Sequence, residues 1–411
     1  MKALLKPSRP LILTMAGLIV IQCISLFRNF PSNPACGRVL NVIANLNVLI
    51  NCDSAVFMKD AQNPTRFFDG QSVYQDRPLH ALLAWCLGSF LKLIGFPNTS
   101  RLVEGNSGQT TLYESAFYLS YVFLNFLILL LAVVIAVRYM KQSEFGVSSK
   151  PPLNVIFLIV LIVAANELTK SFFWTPHSQM FNVLLPILAL LLLANRKQVD
   201  KFRVFFGIAC GLVLLMFFYP LFGILFSILA FSGYSVFRRR IILILLPLTV
   251  FLLYPRTLEY FGGSYTNHNI LKFRQFVWVT DSFREGEFNE RIVTNIELLI
   301  ATIPLIPSVL LLIAAILIVY IVTKLGRKSL VVNLESLAYL LFFALYLFML
   351  YLMGYYSRRL TLGAFIFLEI YVIKIGILSL GSYLPRVRNV AISLLIALLV
   401  GSWVCTNGPL S

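Results

Sequence analysis

Apolar residues run along most of the chain with few polar breaks. Phe117 to Val137 and Ile303 to Val322 each reach the roughly 20 residues needed to cross a hydrocarbon layer of about 30 Å. Similar runs recur from end to end and predict α-helical spans at approximately 11–27, 115–137, 153–166, 178–194, 204–219, 221–237, 241–254, 297–322, 335–353, 361–379 and 389–405. The expected fold class is therefore an all-α polytopic membrane protein with about 11 transmembrane helices, in a single domain over 1–411. The pattern breaks twice at length, in a first loop over 28–114 and a second over 255–296. Within the first, Asn41 to Gln62 lacks Pro and Gly and predicts a helix, and a second helix opens at Pro78.

Composition agrees with this reading. Hydrophobic residues make up 59% of the chain and charged residues 12%, where soluble domains carry about 45–50% and about 25%. A soluble protein is excluded on this ground. The formal net charge of +17 is read first as topology. If the apolar stretch His80–Phe96 lies along the surface rather than across the membrane, the basic clusters Arg138/Lys141/Lys150, Arg196/Lys197/Lys201/Arg203, Arg238/Arg239/Arg240, Lys324/Arg327/Lys328 and Arg386/Arg388 all share the side of Lys2/Lys6/Arg9. That arrangement obeys the positive-inside rule at every connection. It makes 78–96 an interfacial helix and puts both long loops, with most of the acids, on the outer face. The basic N-terminus before Leu11–Leu26 lacks a small-residue cleavage site and is read as an uncleaved first span. The six cysteines form no CxxC or Cys/His cluster, which indicates no zinc site, and they are read as free thiols with a Cys36–Cys52 disulfide left open. No internal repeat is evident.

Three outer segments concentrate groups capable of chemistry. In the first loop Asp53 sits between Val48–Ile50 and Ala55–Phe57, where an unpartnered carboxylate near the membrane surface is costly. Asp60 follows seven residues later, nearly two helical turns away, and either contributes to the same face or pairs with a neighbouring base. Tyr74 and Arg77 then precede Pro78, and the Arg77 guanidinium can clamp phosphate oxygens or pair with Asp76 and lipid headgroups. The patch Asn166–Gln179 offers Lys170 to neutralise phosphate and Trp174 to stack on a sugar or anchor in the interface. It also offers His177, a helix-start residue or a proton shuttle. At Gly354–Leu360, Arg358 and Arg359 sit on the outer face against the charge trend, which phosphate binding with help from Tyr355 or Tyr356 would explain. In the second loop Tyr265, His268, Lys272, Arg274 and Trp278 can line an acceptor groove.

An Asp-containing helix after the first span, an aromatic residue, and then Arg77-Pro78-Leu79 opening a juxtamembrane helix resembles the GT-C superfamily of integral-membrane glycosyltransferases. These use polyprenyl-phosphate-linked sugars, and their members include protein mannosyltransferases and the aminoarabinose transferase acting on lipid A. The resemblance, strongest over 45–95, implies Asp53 as the catalytic carboxylate and Arg77 as a donor-phosphate ligand. It implies inverting transfer of a hexosyl or pentosyl group to a glycan, lipid or protein acceptor, in a bacterial plasma membrane with a cytoplasmic N-terminus and the active site outside. The family often carries a second acid next to the first, and here Ser54 follows Asp53. The expectation is therefore no certain cofactor, with a divalent cation left open. Tyr74, Lys170, His177, Tyr356, Arg358, Arg359 and Asp60 join Arg77 as candidate substrate-binding residues. No nucleic-acid partner is expected. The competing expectations are an O-antigen-type polymerase or ligase and a lipid-linked-sugar flippase or other transporter, for which Glu369 and Lys374 inside a late span are the relevant residues.

Overall fold

The computed structural model describes residues 15–22, 37–43, 46–96, 100–104, 110–141, 153–195, 201–231, 237–267, 270–271, 274–304, 334–381, 389–390, 392–397 and 399–400. The protein is predominantly helical. Its elements run β1 (Gly37–Ile43), β2 (Leu46–Asn51), α1 (Cys52–Gln62), α2 (Pro78–Leu93), β3 (Ser100–Glu104), β4 (Thr110–Glu114), α3 (Ser115–Lys141), α4 (Leu153–Ala164), α5 (Glu167–Phe172), α6 (Phe181–Ala194) and α7 (Phe202–Met216). They continue with α8 (Phe226–Phe231), α9 (Phe237–Tyr260), α10 (Trp278–Glu285), α11 (Phe288–Ala301), α12 (Leu334–Met353) and α13 (Arg358–Gly381). Among the described residues α3 is the one helix long and apolar enough to cross a membrane, and six apolar helices of 10–17 residues accompany it, including Pro78–Leu93 and Leu153–Ala164. The expected spans at 11–27 and 389–405 are described only in part, and most of 297–322 lies outside the described residues.

The first loop differs from expectation in one respect. The helix expected over 41–62 exists only from Cys52, because residues up to Asn51 belong to a four-stranded antiparallel sheet of order β2-β1-β3-β4. The sheet has a positional role. β2 runs directly into α1 and β4 directly into α3, while the β1–β3 pairing joins the two hairpins. The first turns of α1 and α3 are thereby brought to one side of the molecule.

The core forms where α3, α4, α6 and α13 pack together, with Leu129, Ala132, Leu158, Leu185, Leu190 and Phe367 fully buried. Small residues on α3 let its neighbours approach closely. Asn125, in the middle of α3, points its amide at the break between α5 and α6 and donates to the carbonyls of Phe172 (3.0 Å), Phe173 (3.0 Å) and Thr175 (3.1 Å). Those carbonyls lie at a helix end, where intrahelical donors run out, and the Phe172 carbonyl also accepts the backbone N–H of Thr175 at 3.2 Å. Trp174 is held in the same way. Its carbonyl accepts from Tyr118 (2.7 Å), and its indole donates to the carbonyl of Gln22 (3.0 Å). The turn leading to His177 is therefore fixed from the core side.

Candidate active site

Asp53 lies in the first turn of α1, where the helix dipole favours a carboxylate. Opposite it, His177 caps the short 3₁₀ turn Ser178–Met180. Its Nδ1 accepts the backbone N–H of Gln179 at 3.2 Å, and its Nε2 stands 3.5 Å from an oxygen of Asp53. A ring nitrogen that accepts carries no proton, so the neutral imidazole is the Nε2–H tautomer and presents that hydrogen to Asp53. Burial holds the His177 imidazole down at about 4, with Arg359 and Arg77 adding to the effect and Asp53 opposing it. The hydrogen bond from His177 in turn holds the Asp53 carboxyl below its ordinary value against the opposing effect of burial, with Arg359 and Tyr74 assisting. At neutral pH the pair is an ionised carboxylate receiving a hydrogen bond from a neutral imidazole. It is not an ion pair.

An aromatic wall supports the pair. Tyr74 hydrogen-bonds to Asp53, and burial keeps its phenol protonated. Its ring stacks on Phe57 with centroids 4.3 Å apart, and Phe57 reaches the His177 ring at 4.9 Å. Phe172 closes on the same imidazole at 5.2 Å.

Two arginines complete the site. Arg77 precedes α2 as its N-cap residue. Its Nε donates to Asp76 (3.2 Å) and its Nη1 to Ser178 Oγ (3.0 Å), and its guanidinium lies 4.8 Å from the Tyr74 ring centre and 5.6 Å from that of Tyr219. Arg359 enters from the first turn of α13. One Nη donates to the Tyr355 hydroxyl (2.7 Å), the guanidinium faces Phe172 at 5.6 Å, and the buried Nε has no hydrogen-bond partner. Arg359 acts electrostatically on Asp53, His177 and Tyr74. The formal charges of Asp53 and Asp76 balance those of Arg77 and Arg359.

The structure thus gathers Asp53, Tyr74, Arg77, His177 and Arg359, brings Tyr265 of the second loop near Arg77, and leaves the remaining candidates elsewhere. Arg358 points outward and is exposed, while Tyr356 donates to the Tyr351 carbonyl at 3.0 Å. Lys170 is buried on α5. Asp60 is fully buried, with Arg66 at 2.9 Å and the Ser72 hydroxyl donating at 2.6 Å. In the second loop Arg274 pairs with Asp281, the Trp278 indole donates to the Leu352 carbonyl at 2.9 Å, and His268 and Lys272 lie outside the described residues. Cys36 also lies outside them, and Cys86 and Cys210 are free thiols. The sequence reading did not find Phe57, Ser178 and Tyr219. Only Tyr219-Pro220, a polar aromatic at the end of an apolar run, carried a visible signal. Among the described residues no group of three or more His, Cys, Asp or Glu side chains could hold a metal ion.

No family model matches the chain, and neither a curated protein nor a solved structure matches it.

Two predictions follow from burial. Asp60→Ala removes an acceptor from Arg66 and Ser72 and should cost about 1–3 kcal/mol, read as a lower Tm with ligand binding at the site unchanged in the folded fraction. The second is a pH effect. His177 is held at about 4 and His80, buried against Phe57, Tyr121 and Phe181, at about 3. The unfolded chain binds protons at these positions from about 6.5 downward. Stability is then fully present above pH 6.5 and falls as the pH drops toward 4, by up to about 1.4 kcal/mol per pH unit for each histidine. Unfolding scans from pH 7.5 to 4.5 should show this decline, and His80→Phe should flatten it.

Proposed function

We propose that the protein is a polytopic membrane glycosyltransferase of the GT-C kind, moving a sugar from a polyprenyl-phosphate donor to an acceptor hydroxyl at the outer face. The observation that carries this reading is the convergence of an ionised carboxylate, Asp53, with two guanidinium groups, Arg77 and Arg359, drawn from segments far apart in sequence. The acceptor hydroxyl hydrogen-bonds to Asp53 and attacks the anomeric carbon opposite the phosphate. Its oxygen forms the new C–O bond, its proton passes to Asp53, and the bonding pair of the old C–O bond leaves on the phosphate. Arg77 and Arg359 stabilise the charge that develops there, the kind of electrostatic term that usually contributes most. A depressed carboxyl is a weak base. Proton transfer therefore runs late, once the attacking hydroxyl has become acidic through bond formation. His177 keeps the Asp53 oxygens oriented during this step.

A second feature supports a lipid-linked donor. A cavity of about 640 Å³ opens between residues 15–22, α2 and α3, bounded by Ile19, Leu87, Phe90, Phe123 and Trp174. Its walls are almost wholly apolar, which suits a hydrocarbon chain and holds water poorly. Purified protein in nanodiscs, supplied with a polyprenyl-phosphate sugar and candidate acceptors, should release polyprenyl phosphate as product forms. Binding of the donor followed by translocation without any transfer would favour the transporter instead. The topology has its own check. Cysteines introduced near Gly105 and Gly146 should label from opposite sides of the membrane, and labelling from one side would overturn the outer-loop assignment.

A further inference from the structure

Gln75 is buried two residues before Arg77, and its amide is fully used. The Nε2 donates to the carbonyls of Phe67 (2.5 Å) and Ser264 (2.6 Å), and Oε1 accepts from the backbone N–H of Thr266 (2.9 Å). The last two contacts join segments 189 and 191 residues apart. Ser264 is fastened once more, its N–H donating to the Phe68 carbonyl at 2.7 Å. Gly70, at φ +69°, leaves space for the Ser264 hydroxyl that any side chain would fill.

The residue held between Ser264 and Thr266 is Tyr265. Its ring meets that of Tyr254 edge-on, with centroids 6.3 Å apart. Asp76 lies within Coulombic reach of both phenols, and Arg77 within reach of Tyr265. Asp76 also holds the Nε of Arg77. Asp76 and the Tyr265 phenol thus lie beside one of the two guanidinium groups proposed to hold phosphate, with the Tyr254 ring against Tyr265, and all three side chains are partly open to solvent. These groups suit a pyranose or furanose ring, since a carboxylate accepts from sugar hydroxyls, phenols both donate and accept, and an aromatic face packs on the C–H side of the ring.

We propose that Asp76, Tyr254 and Tyr265 form the subsite that reads the sugar of the lipid-linked donor, with Gln75 as the positioning residue that fixes Tyr265 beside Arg77. The inference rests on the transferase reading and adds to it the residues that set sugar choice.

The test compares two probes on full-length protein in nanodiscs, undecaprenyl phosphate and a panel of undecaprenyl-phosphate hexoses and pentoses. For the tightest-binding sugar of the panel, Tyr265→Ala should weaken binding about tenfold or more, roughly the 1.4 kcal/mol of one lost contact. Undecaprenyl phosphate should bind as before. Tyr265→Phe keeps the ring and should lie between the two. Gln75→Leu should reproduce the selective loss and raise hydrogen exchange over 261–267, while an unchanged thermal transition would show the fold intact. Equal weakening of both probes by Tyr265→Ala would overturn the subsite, because Tyr265 would then act only through Arg77, and so would no weakening of either. If neither probe binds the unaltered protein, the transferase reading itself fails and the subsite with it. Sugar-free binding that no attached sugar improves would remove the subsite and leave the phosphate site standing.

Discussion

Asp53→Asn should lower turnover by roughly 10²–10⁴-fold, the usual contribution of a positioned general base, with donor binding retained. Asn keeps the shape and an acceptor oxygen and still receives the Nε2–H of His177, so the local structure has little reason to move. The base function is lost. His177→Gln separates positioning from proton transfer, since glutamine can still donate to Asp53 without an imidazole. It should lower turnover far less than Asp53→Asn and leave the pH dependence of turnover above pH 6 unchanged, because the imidazole is already neutral there. A steep new pH dependence in His177→Gln would mean that His177 moves the proton.

Arg359→Gln and Arg77→Gln should each weaken donor binding about ten- to a hundredfold, the cost of a charge-assisted contact of roughly 1.5–3 kcal/mol. Arg358→Gln, at the exposed position one residue earlier, should change it little. The two active-site variants should differ in stability. Arg77 is committed to the Asp76 carboxylate and to Ser178, so its replacement disturbs a charge-assisted network, whereas replacing Arg359 gives up a bond to the neutral Tyr355 hydroxyl and relieves a buried Nε that has no partner. Arg77→Gln should therefore lower Tm more than Arg359→Gln. If Arg358→Gln weakened binding more than Arg359→Gln, the phosphate would have been assigned to the wrong face of α13.

That choice between neighbouring arginines shows where the sequence stops being informative. Charge against the topological trend pointed to Arg358 and Arg359 together. Successive residues on a helix point about 100° apart, so the inward one depends on how α13 is rotated, which its packing on α6 and α12 sets. Asp53 stands out in the sequence as a carboxylate set between Val48–Ile50 and Ala55–Phe57, and Arg77 as a cation before a Pro-initiated helix, but the expected helix over 41–62 hides that Asp53 lies in a first helical turn. His177 was visible as a rare ionisable group, but its tautomer depends on the turn Ser178–Met180. Asp60 was placed correctly on the same helix as Asp53, yet its pairing with Arg66 and Ser72 depends on the chain folding back after Pro64. Freedom from Pro and Gly suits a strand as well as a helix, and the β-branched content of Val39–Ile43 and Val48–Ile50 favours the sheet found there. The clamp by Gln75 is not legible in the sequence, since two of its three partners lie nearly two hundred residues away.

The most direct measurement is single-turnover transfer from a synthetic polyprenyl-phosphate sugar by the purified protein, with the anomeric configuration of the product determined. The proposed site predicts inverted product from the unaltered protein and bound but unreacted donor in Asp53→Asn. Product of retained configuration would contradict direct attack by the acceptor, and undiminished transfer by Asp53→Asn would contradict the role assigned to that carboxylate.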